Sequence, residues 1–159
     1  MKMRIGFGFD VHELRENEDF WIGGILIPHL KGSHGHSDAD VLIHAICDAL
    51  LGAANLGDIG RHFPDNSEEY KDIDSKILLK KVVKLIYNEG FSIGNIDSTI
   101  CLELPKLQPY INQMKDVLSK CIGIDIHDLS IKATTTERLG FVGREEGISA
   151  YATVLIHKD

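Results

Sequence analysis

The tripeptide Asp10-Val11-His12 follows the apolar segment 3–9 and sets a carboxylate and an imidazole two residues apart. Successive side chains of a β-strand point to opposite faces, so a strand here would direct Asp10 and His12 to the same side. His44, within a segment of helical apolar spacing, is a third candidate ligand, although taken alone it is more typical of a core or surface histidine. One carboxylate and two imidazoles suit Zn²⁺ with its fourth coordination position open, as in catalytic zinc sites.

The order of apolar and polar segments predicts one α+β domain over residues 1–159. Helices are predicted from an N-cap at Ser37 to about Asn55, at 74–89 and at 110–122. Strands are predicted at 3–9, 93–104, 129–133 and 149–157, and a strand pair broken by glycines is predicted at 20–27. The expected architecture is therefore a mixed β-sheet packed on about three helices.

The overall charge and hydropathy exclude several kinds of partner. A formal net charge of −7 argues against non-specific nucleic-acid binding, and it means that an anionic substrate needs local cations. No apolar run approaches the roughly 20 residues of a membrane span, and the first residues lack a signal-peptide pattern. Cys47, Cys101 and Cys121 form no C-x-x-C pair and are expected to be buried free thiols. We expect a cytoplasmic protein that binds neither nucleic acid nor membrane.

Two polar loops offer groups for an anionic or hydroxylated ligand. The first is the predicted loop 32–36; its last residue, His36, and the following Ser37 lie at the start of a predicted helix, where unpaired N–H groups favour an anion. In the segment 57–60, two glycines permit tight turns, and the carboxylate of Asp58 can accept hydrogen bonds from a polyol. Each loop is also compatible with an ordinary capping or connecting segment.

A third loop follows a predicted strand and contains three consecutive threonines, 134–136, and then Glu137. The hydroxyls can donate to a phosphate, and the carboxylate suits Mg²⁺. Lys106 and Arg144 are candidate phosphate-binding cations. The alternative is a strand end rich in β-branched residues.

Metal-bound imidazoles usually donate their second N–H to a carboxylate or another oxygen. Asp40 and Asp48 lie four residues before and after His44, on the same predicted helix face, so either is a candidate partner.

Taken in chain order, these segments resemble the 2-C-methyl-D-erythritol 2,4-cyclodiphosphate synthase family. The segments that carry the resemblance are 8–12, 36–40, 48–53, 57–60, 63–65, 105–106, 132–137, 139–141 and 143–147. Each motif is weak by itself, but their order is specific and covers nearly the whole chain.

The resemblance implies a phosphorus–oxygen lyase of the non-mevalonate (MEP) isoprenoid pathway, and residues 1–159 would form one synthase domain. The substrate would be 4-diphosphocytidyl-2-C-methyl-D-erythritol 2-phosphate, whose 2-phosphate attacks the β-phosphorus, closes a cyclic diphosphate and expels CMP. The resemblance also implies a homotrimer with active sites between subunits. An axial cavity near Phe9, Arg144 and Glu146 would take an isoprenoid diphosphate.

The resemblance assigns roles to individual residues. Asp10, His12 and His44 would bind Zn²⁺ or a similar divalent metal, while Glu137 would contact Mg²⁺ or Mn²⁺ on the substrate diphosphate. His36 and Thr135 would be catalytic, through stabilisation of the transition state. The substrate-binding residues implied on the erythritol and phosphate side are Asp10, His12, His36, Ser37, Asp58, Ile59, Gly60, Phe63, Pro64, Asp65, Asn66 and Ser67. Those implied on the cytidine diphosphate side are Leu102, Pro105, Lys106, Leu107, Ala133, Thr134, Thr135, Thr136, Glu137, Phe141 and Arg144.

Two other functions remain open from the sequence. A zinc-dependent phosphohydrolase would need a general base near the metal, for which Glu13 or Asp40 are candidates. A non-catalytic trimeric module for isoprenoid diphosphates would use the axial residues alone.

Overall fold

The computed structural model describes residues 1–64, 70 and 72–158 and contains seven strands and five α-helices. The strands are β1 (Lys2–Glu16), β2 (Trp21–Ile22), β3 (Ile25–Leu26), β4 (Lys31–His34), β5 (Ser92–Cys101), β6 (Leu129–Thr134) and β7 (Gly147–Lys158). The helices are α1 (Val41–Ala54), α2 (Ile59–His62), α3 (Ser75–Asn88), α4 (Ile111–Ile122) and α5 (Gly140–Gly143). Within the described ranges, none of these helices has the length and apolar character needed to cross a bilayer.

Five strands form one mixed sheet in the order β4-β1-β7-β5-β6. Only β5 and β6 run parallel; the other neighbours are antiparallel, and β2 and β3 form a separate hairpin. Helix α1 packs on β1 and β7, while α3 and α4 extend the same layer toward β5 and β6. The predicted α+β class and mixed sheet are confirmed, and the two helices beyond the predicted three are four-residue segments inside predicted loops.

Three local predictions were wrong. Helix α1 begins at Val41, and its N-cap is Asp40 rather than Ser37, because Asp40 accepts the Ile43 N–H at 3.0 Å. The segment 32–36, predicted as a loop, contributes to β4, which pairs with the end of β1. That pairing also extends β1 to Glu16, so Asp10 and His12 lie inside the strand instead of at its end.

The contact between α1 and β1 depends on two glycines of the strand. A Cβ on Gly6 would lie 1.9 Å from the carbonyl oxygen of Ala49, and one on Gly8 would lie 1.9 Å from that of Ala45. Alanines at four-residue spacing therefore pack directly on strand backbone. This close approach brings the first turn of α1 to the helix-facing side of β1, where Asp10 and His12 also point.

Helix α1 is buried almost all round. Eleven of its 14 residues are buried, and the three that are not are His44, Asp48 and Gly52. Their four-residue spacing places them on one face of the helix, which looks into the loop that carries α2.

The opposite face of the sheet carries an exposed apolar stripe. The exposed fractions of Ile5 and Phe7 are 72% and 64%, and Phe9 packs on Tyr151 of β7 with ring centroids 5.1 Å apart. Met3 and Val11 continue the stripe along β1. A contiguous apolar surface of this kind is typical of a protein–protein interface.

We predict that Gly8→Ala lowers the free energy of unfolding by about 3 kcal/mol or more, because the new methyl group would overlap helix backbone that cannot move alone. Gly52→Ala is the matched control, since no atom lies within 4 Å of its added Cβ and alanine favours the helix. Chemical denaturation at fixed protein concentration measures both. Equal stabilities of the two variants would contradict the packing described for β1.

Candidate metal centre and adjoining cavities

The donor atoms of Asp10, His12 and His44 converge. Asp10 Oδ2 lies 2.9 Å from His12 Nε2 and 3.0 Å from His44 Nδ1, and the two nitrogens are 3.2 Å apart. Tetrahedral zinc with ligand bonds of about 2.0–2.1 Å has donor–donor edges of about 3.3 Å. The three atoms thus form a triangle of nearly the size of one face of that tetrahedron. Among the described residues, this is the group of His, Cys, Asp and Glu side chains that can hold a metal ion.

The imidazole of His12 is oriented by backbone. Its Nδ1 lies 3.1 Å from the carbonyl oxygen of His34, which only accepts hydrogen bonds, so Nδ1 carries the proton. The Nε2 lone pair is therefore free to face Asp10 and His44. Strand β4, which the sequence did not predict, supplies this carbonyl.

The imidazole of His44 is oriented by hydroxyl groups from two other segments. Its Nε2 lies 2.9 Å from Ser75 Oγ at the start of α3 and 3.2 Å from Ser37 Oγ in the loop before α1. The Ser75 hydroxyl donates to Asp38 Oδ1, and the Ser75 N–H donates to Asp38 Oδ2 at 2.9 Å. Because the hydroxyl proton is committed to Asp38, Ser75 Oγ accepts from His44 Nε2–H, and the Nδ1 lone pair faces the other two ligands.

The expected partners of His44, Asp40 or Asp48, were wrong. Asp40 is fully buried and accepts the N–H groups of Gly23, Gly24 and Ile43 at 2.7–3.0 Å. Asp48 accepts the N–H of Ile59 at 2.8 Å and so fixes the start of α2. Both carboxylates share the helical register of His44 but use their oxygens for backbone donors.

Electrostatics favour a cation at this centre. Burial raises the pKa of Asp10, but in the metal-free protein, where a proton can occupy His12 Nε2 or His44 Nδ1 in place of a metal, hydrogen bonds from these imidazoles outweigh burial and lower that pKa to about 2. Burial lowers the pKa of His44, and the hydrogen bond and charge of Asp10 more than offset it, so the net shift is upward. An ionised Asp10 thus attracts a positive charge, which a proton or a metal ion can supply.

A cavity of about 320 Å³ opens beside the three donor atoms. It brings together side chains from the strand, the loop before α1, α2 and α3. Its lining residues are Asp10, His12, Gly35, His36, Ser37, His44, Ile59, Gly60, Phe63, Tyr70, Ile73 and Leu78. The sequence-predicted His36, Ser37, Ile59, Gly60 and Phe63 therefore adjoin the metal ligands.

Four lining residues were missed by the sequence reasoning. Gly35 and Tyr70 adjoin predicted segments, whereas Ile73 and Leu78 belong to the approach and first turn of α3. Apolar residues of that kind read as ordinary core, so the sequence offers no signal that they line a cavity. The predicted Asp65, Asn66 and Ser67 lie outside the described residues.

Asp58 is the N-cap of α2. Its Oδ1 accepts the Arg61 N–H at 3.0 Å, which leaves Oδ2 for a ligand hydroxyl. Asp58 and Pro64 are both exposed at the margin of the segment that lines the cavity.

A second cavity, of about 340 Å³, lies at the ends of β5 and β6. It is lined by Glu103, Leu104, Lys106, Thr135, Arg138, Gly143 and Glu145. The predicted Lys106 and Thr135 therefore line the same cavity. In the adjoining loop, Ala133, Thr134 and Glu137 are exposed and Thr136 is half-buried. Leu102 and Leu107 are in the hydrophobic core, so contacts of theirs with a ligand would be limited to backbone atoms.

The two cavities share no lining residue. Strands β1 and β6 are separated in the sheet by β7 and β5, which amounts to three interstrand steps or about 14 Å. Within one chain, the structure therefore does not bring the metal ligands together with Thr135 and Glu137. Glu137 also lies outside the group of potential metal ligands found among the described residues.

Phe141 lies in α5, between β6 and β7, and Arg144 directly follows that helix. Phe141 is 41% exposed. The guanidinium of Arg144 donates to both carboxylate oxygens of Glu146 at 3.0 Å, so these two predicted axial residues form a fork-like surface pair.

The sequence model of the YgbB family matches residues 3–157. The chain is 68% identical to the 2-C-methyl-D-erythritol 2,4-cyclodiphosphate synthase of Bacteroides fragilis. The alignment spans 158 residues and covers 99% of each chain. It is 65% identical to the protein of the same name from Bacteroides thetaiotaomicron, with full coverage of both.

Solved structures are similar over nearly the whole chain. The bifunctional IspDF of Campylobacter jejuni matches with a TM-score of 0.95 and 39% identity, over 99% of this chain and 43% of that one. Plasmodium falciparum IspF in complex with CDP matches with a TM-score of 0.87 and 32% identity, over 99% and 97% of the two chains.

We predict that Ser75→Ala weakens zinc binding by about 10–100-fold, since the variant removes the nearer of the two hydroxyl oxygens at His44 Nε2 and the one that Asp38 fixes as an acceptor. Ser75→Thr, which keeps the hydroxyl, should retain most of the affinity. Competition with a chromophoric chelator measures affinity, and ¹⁵N chemical shifts of the His44 imidazole report its tautomer. Unchanged affinity and tautomer in Ser75→Ala would contradict this role.

Proposed function

Because this chain belongs to the YgbB family, we propose that it carries out the reaction after which its relatives are named, the synthesis of 2-C-methyl-D-erythritol 2,4-cyclodiphosphate. The substrate is 4-diphosphocytidyl-2-C-methyl-D-erythritol 2-phosphate of the MEP pathway, CMP is released, and residues 1–159 act as one synthase domain. The observation that carries the proposal is the convergence of Asp10, His12 and His44 on the wall of a cavity that His36 and Ser37 also line.

The donor set fits a divalent metal, and we take zinc as the resident ion. Two imidazoles with preset tautomers and one carboxylate occupy three positions and leave a fourth toward the cavity. When bound, the metal supplies Lewis acidity toward a phosphate oxygen.

The residues of the chain mainly align the reacting phosphates and stabilise their negative charge. The 2-phosphate is already ionised near neutral pH, so no general base is needed for its attack. One of its oxygens forms a bond to the β-phosphorus as the bond from that phosphorus to the CMP oxygen breaks. His36 and Ser37 are the proposed donors to the phosphate oxygens, and Asp58 Oδ2 the proposed acceptor for an erythritol hydroxyl.

The threonine loop is the proposed nucleotide side. The Thr135 hydroxyl lies 3.4 Å from Glu137 Oε1, so the two residues can act on neighbouring phosphate oxygens. Lys106 adds a cation in the same cavity, and Glu137 would contact the Mg²⁺ or Mn²⁺ that travels with the diphosphate. The CDP complex of the Plasmodium falciparum relative supports a cytidine nucleotide as the ligand.

A homotrimer follows from the same reasoning. The stripe of Ile5, Phe7 and Phe9 needs a covering partner. Strand β1, which carries two of the metal ligands, and β6, which leads into the threonine loop, are about 14 Å apart in the sheet. A symmetric ring would cover the stripe and bring the metal cavity of one subunit to the nucleotide cavity of the next. An isoprenoid diphosphate at the axis, beside Phe9 and Arg144, remains part of this proposal.

A cytoplasmic location is also proposed. Cys47, Cys101 and Cys121 are all free thiols, as expected for a protein that works in a reducing compartment, although only Cys47 is fully buried.

The phosphohydrolase alternative is less well supported. It needs a base beside the metal. Glu13 is on the face of β1 that carries the exposed apolar stripe, opposite to Asp10 and His12, and it pairs with Arg15 at 2.7 Å. Asp40 is buried, and its oxygens accept three backbone N–H groups. Neither carboxylate can reach a water molecule in the cavity without a change of fold.

The direct test is ³¹P NMR of the product formed from the cytidyl substrate by the zinc-loaded protein. We expect a cyclic diphosphate and CMP from the wild type, and loss of both zinc and turnover in His44→Ala, with the circular dichroism spectrum retained. A linear hydrolysis product would refute the synthase assignment. Full turnover by metal-free His44→Ala would refute the metal assignment.

A second test addresses the shared site. His44→Ala disables the metal half and Thr135→Ala impairs the nucleotide half. Randomly mixed trimers at equal ratio should recover about a quarter of the wild-type sites, because three-quarters of the trimers are mixed and each mixed ring has one intact site. Activity no greater than that of the two separate variants would exclude a site built from both subunits.

A further inference from the structure

Glu103, just beyond the end of β5, contacts the backbone of the threonine loop, residues 134–138. Its Oε1 accepts the N–H of Thr136 at 3.1 Å and the N–H of Arg138 at 3.1 Å. The Thr136 hydroxyl is 3.5 Å from the same oxygen but donates to the Leu139 carbonyl at 2.7 Å, so it adds little. A single carboxylate oxygen therefore gathers two backbone donors from alternate residues of the loop.

The loop conformation that these bonds hold is a costly one. Glu137 and Arg138 have positive φ angles of 53° and 62°, and neither is glycine. Side-chain-bearing residues in the left-handed region cost free energy and persist only where their surroundings enforce that conformation. The two bonds to Glu103 bracket Glu137, and Gly143 packs so closely on the Arg138 backbone that an added Cβ would lie 2.1 Å from its carbonyl carbon.

The loop conformation held by Glu103 also positions the side chain of Thr135, which is proposed as catalytic. With the N–H groups of Thr136 and Arg138 turned toward Glu103, the intervening N–H of Glu137 points to Thr135 Oγ1 at 3.3 Å. The hydroxyl of Thr135 is thereby fixed relative to the carboxylate of Glu137. The position of Glu103 thus sets the position of both groups that would face the diphosphate.

We propose that Glu103 is a positioning residue, whose Oε1 holds the 135–138 loop in the conformation that binds the cytidine diphosphate part of the substrate. This inference rests on the proposed function. Glu103 acts through the loop and as a hydrogen-bond acceptor, and its negative charge is not needed. A negative charge beside a bound diphosphate is unfavourable because like charges repel, so an uncharged acceptor of the same length should hold the loop as well.

The test compares three variants of Glu103 in the full-length, zinc-loaded protein. Glu103→Gln keeps an acceptor oxygen in place, Glu103→Asp shortens the side chain by one methylene, and Glu103→Ala removes the acceptor. Isothermal titration with CDP gives the affinity, steady-state kinetics with the cytidyl substrate give kcat and KM, and metal analysis gives zinc content. Asp116→Ala, which removes an exposed carboxylate paired with Lys120 on α4, is the control for loss of one negative charge.

We expect Glu103→Ala and Glu103→Asp to weaken CDP binding by about tenfold or more, since both lose one or both bonds to the loop. Glu103→Gln should bind CDP at least as tightly as the wild type, with kcat preserved. Zinc content should be unchanged throughout, because the metal centre is in the other cavity. A general loss of folding would not show this rescue by glutamine.

Two results would overturn the inference. One is wild-type affinity for CDP in Glu103→Ala. The other is equal loss in the alanine and glutamine variants, which would mean that the charge matters and the acceptor does not. Neither result affects the proposed function, which fails separately if the wild-type protein neither binds CDP nor forms the cyclic product. If Glu103→Ala does not fold, the contrast between glutamine and aspartate decides the matter.

Discussion

The fold and the metal centre both rely on the close approach of α1 to β1. Backbone of the helix lies against backbone of the strand at Gly6 and Gly8, where any side chain would collide with the carbonyl oxygens of Ala49 and Ala45. Only at this short separation can the imidazole of His44 share a triangle of donor atoms with two residues of the strand. A side chain in place of either glycine would push the helix away from the strand and leave those donors out of reach of a common ion.

Around that contact, three aspartates of the 38–48 segment each bind donors of a different segment. Asp38 holds Ser75 and thereby His44, Asp40 begins the helix and binds the Gly23–Gly24 turn, and Asp48 anchors α2. Each carboxylate meets backbone or hydroxyl donors, as buried acceptors require. The metal centre is therefore oriented by β4 and α3 as much as by its own elements, and the ligands can be arranged before a metal arrives.

The sequence revealed those parts of the site that depend on local periodicity. Strand alternation correctly put Asp10 and His12 on one side, and helical spacing correctly placed His44 in α1. It failed where long-range contacts decide. Strand β4 consists of residues with little strand preference and exists because β1 pairs with it. Asp40, not Ser37, caps α1 because the Gly23–Gly24 amides fix its carboxylate there, and nothing local marks Ser75 or Glu103, whose partners lie more than 30 residues away.

The four-residue spacing in α1 also constrains how the chain can vary in length. Ala45 and Ala49 face the glycines of β1, while His44 and Asp48 face the metal cavity and α2. Packing and chemistry therefore share one helical phase. Inserting or deleting a residue within this helix would rotate everything beyond it by about 100°, so either the alanine seam or the ligand face would lose its register. Substitutions can accumulate on the outer surfaces of such a protein, whereas changes of length should be confined to the loops outside 41–54.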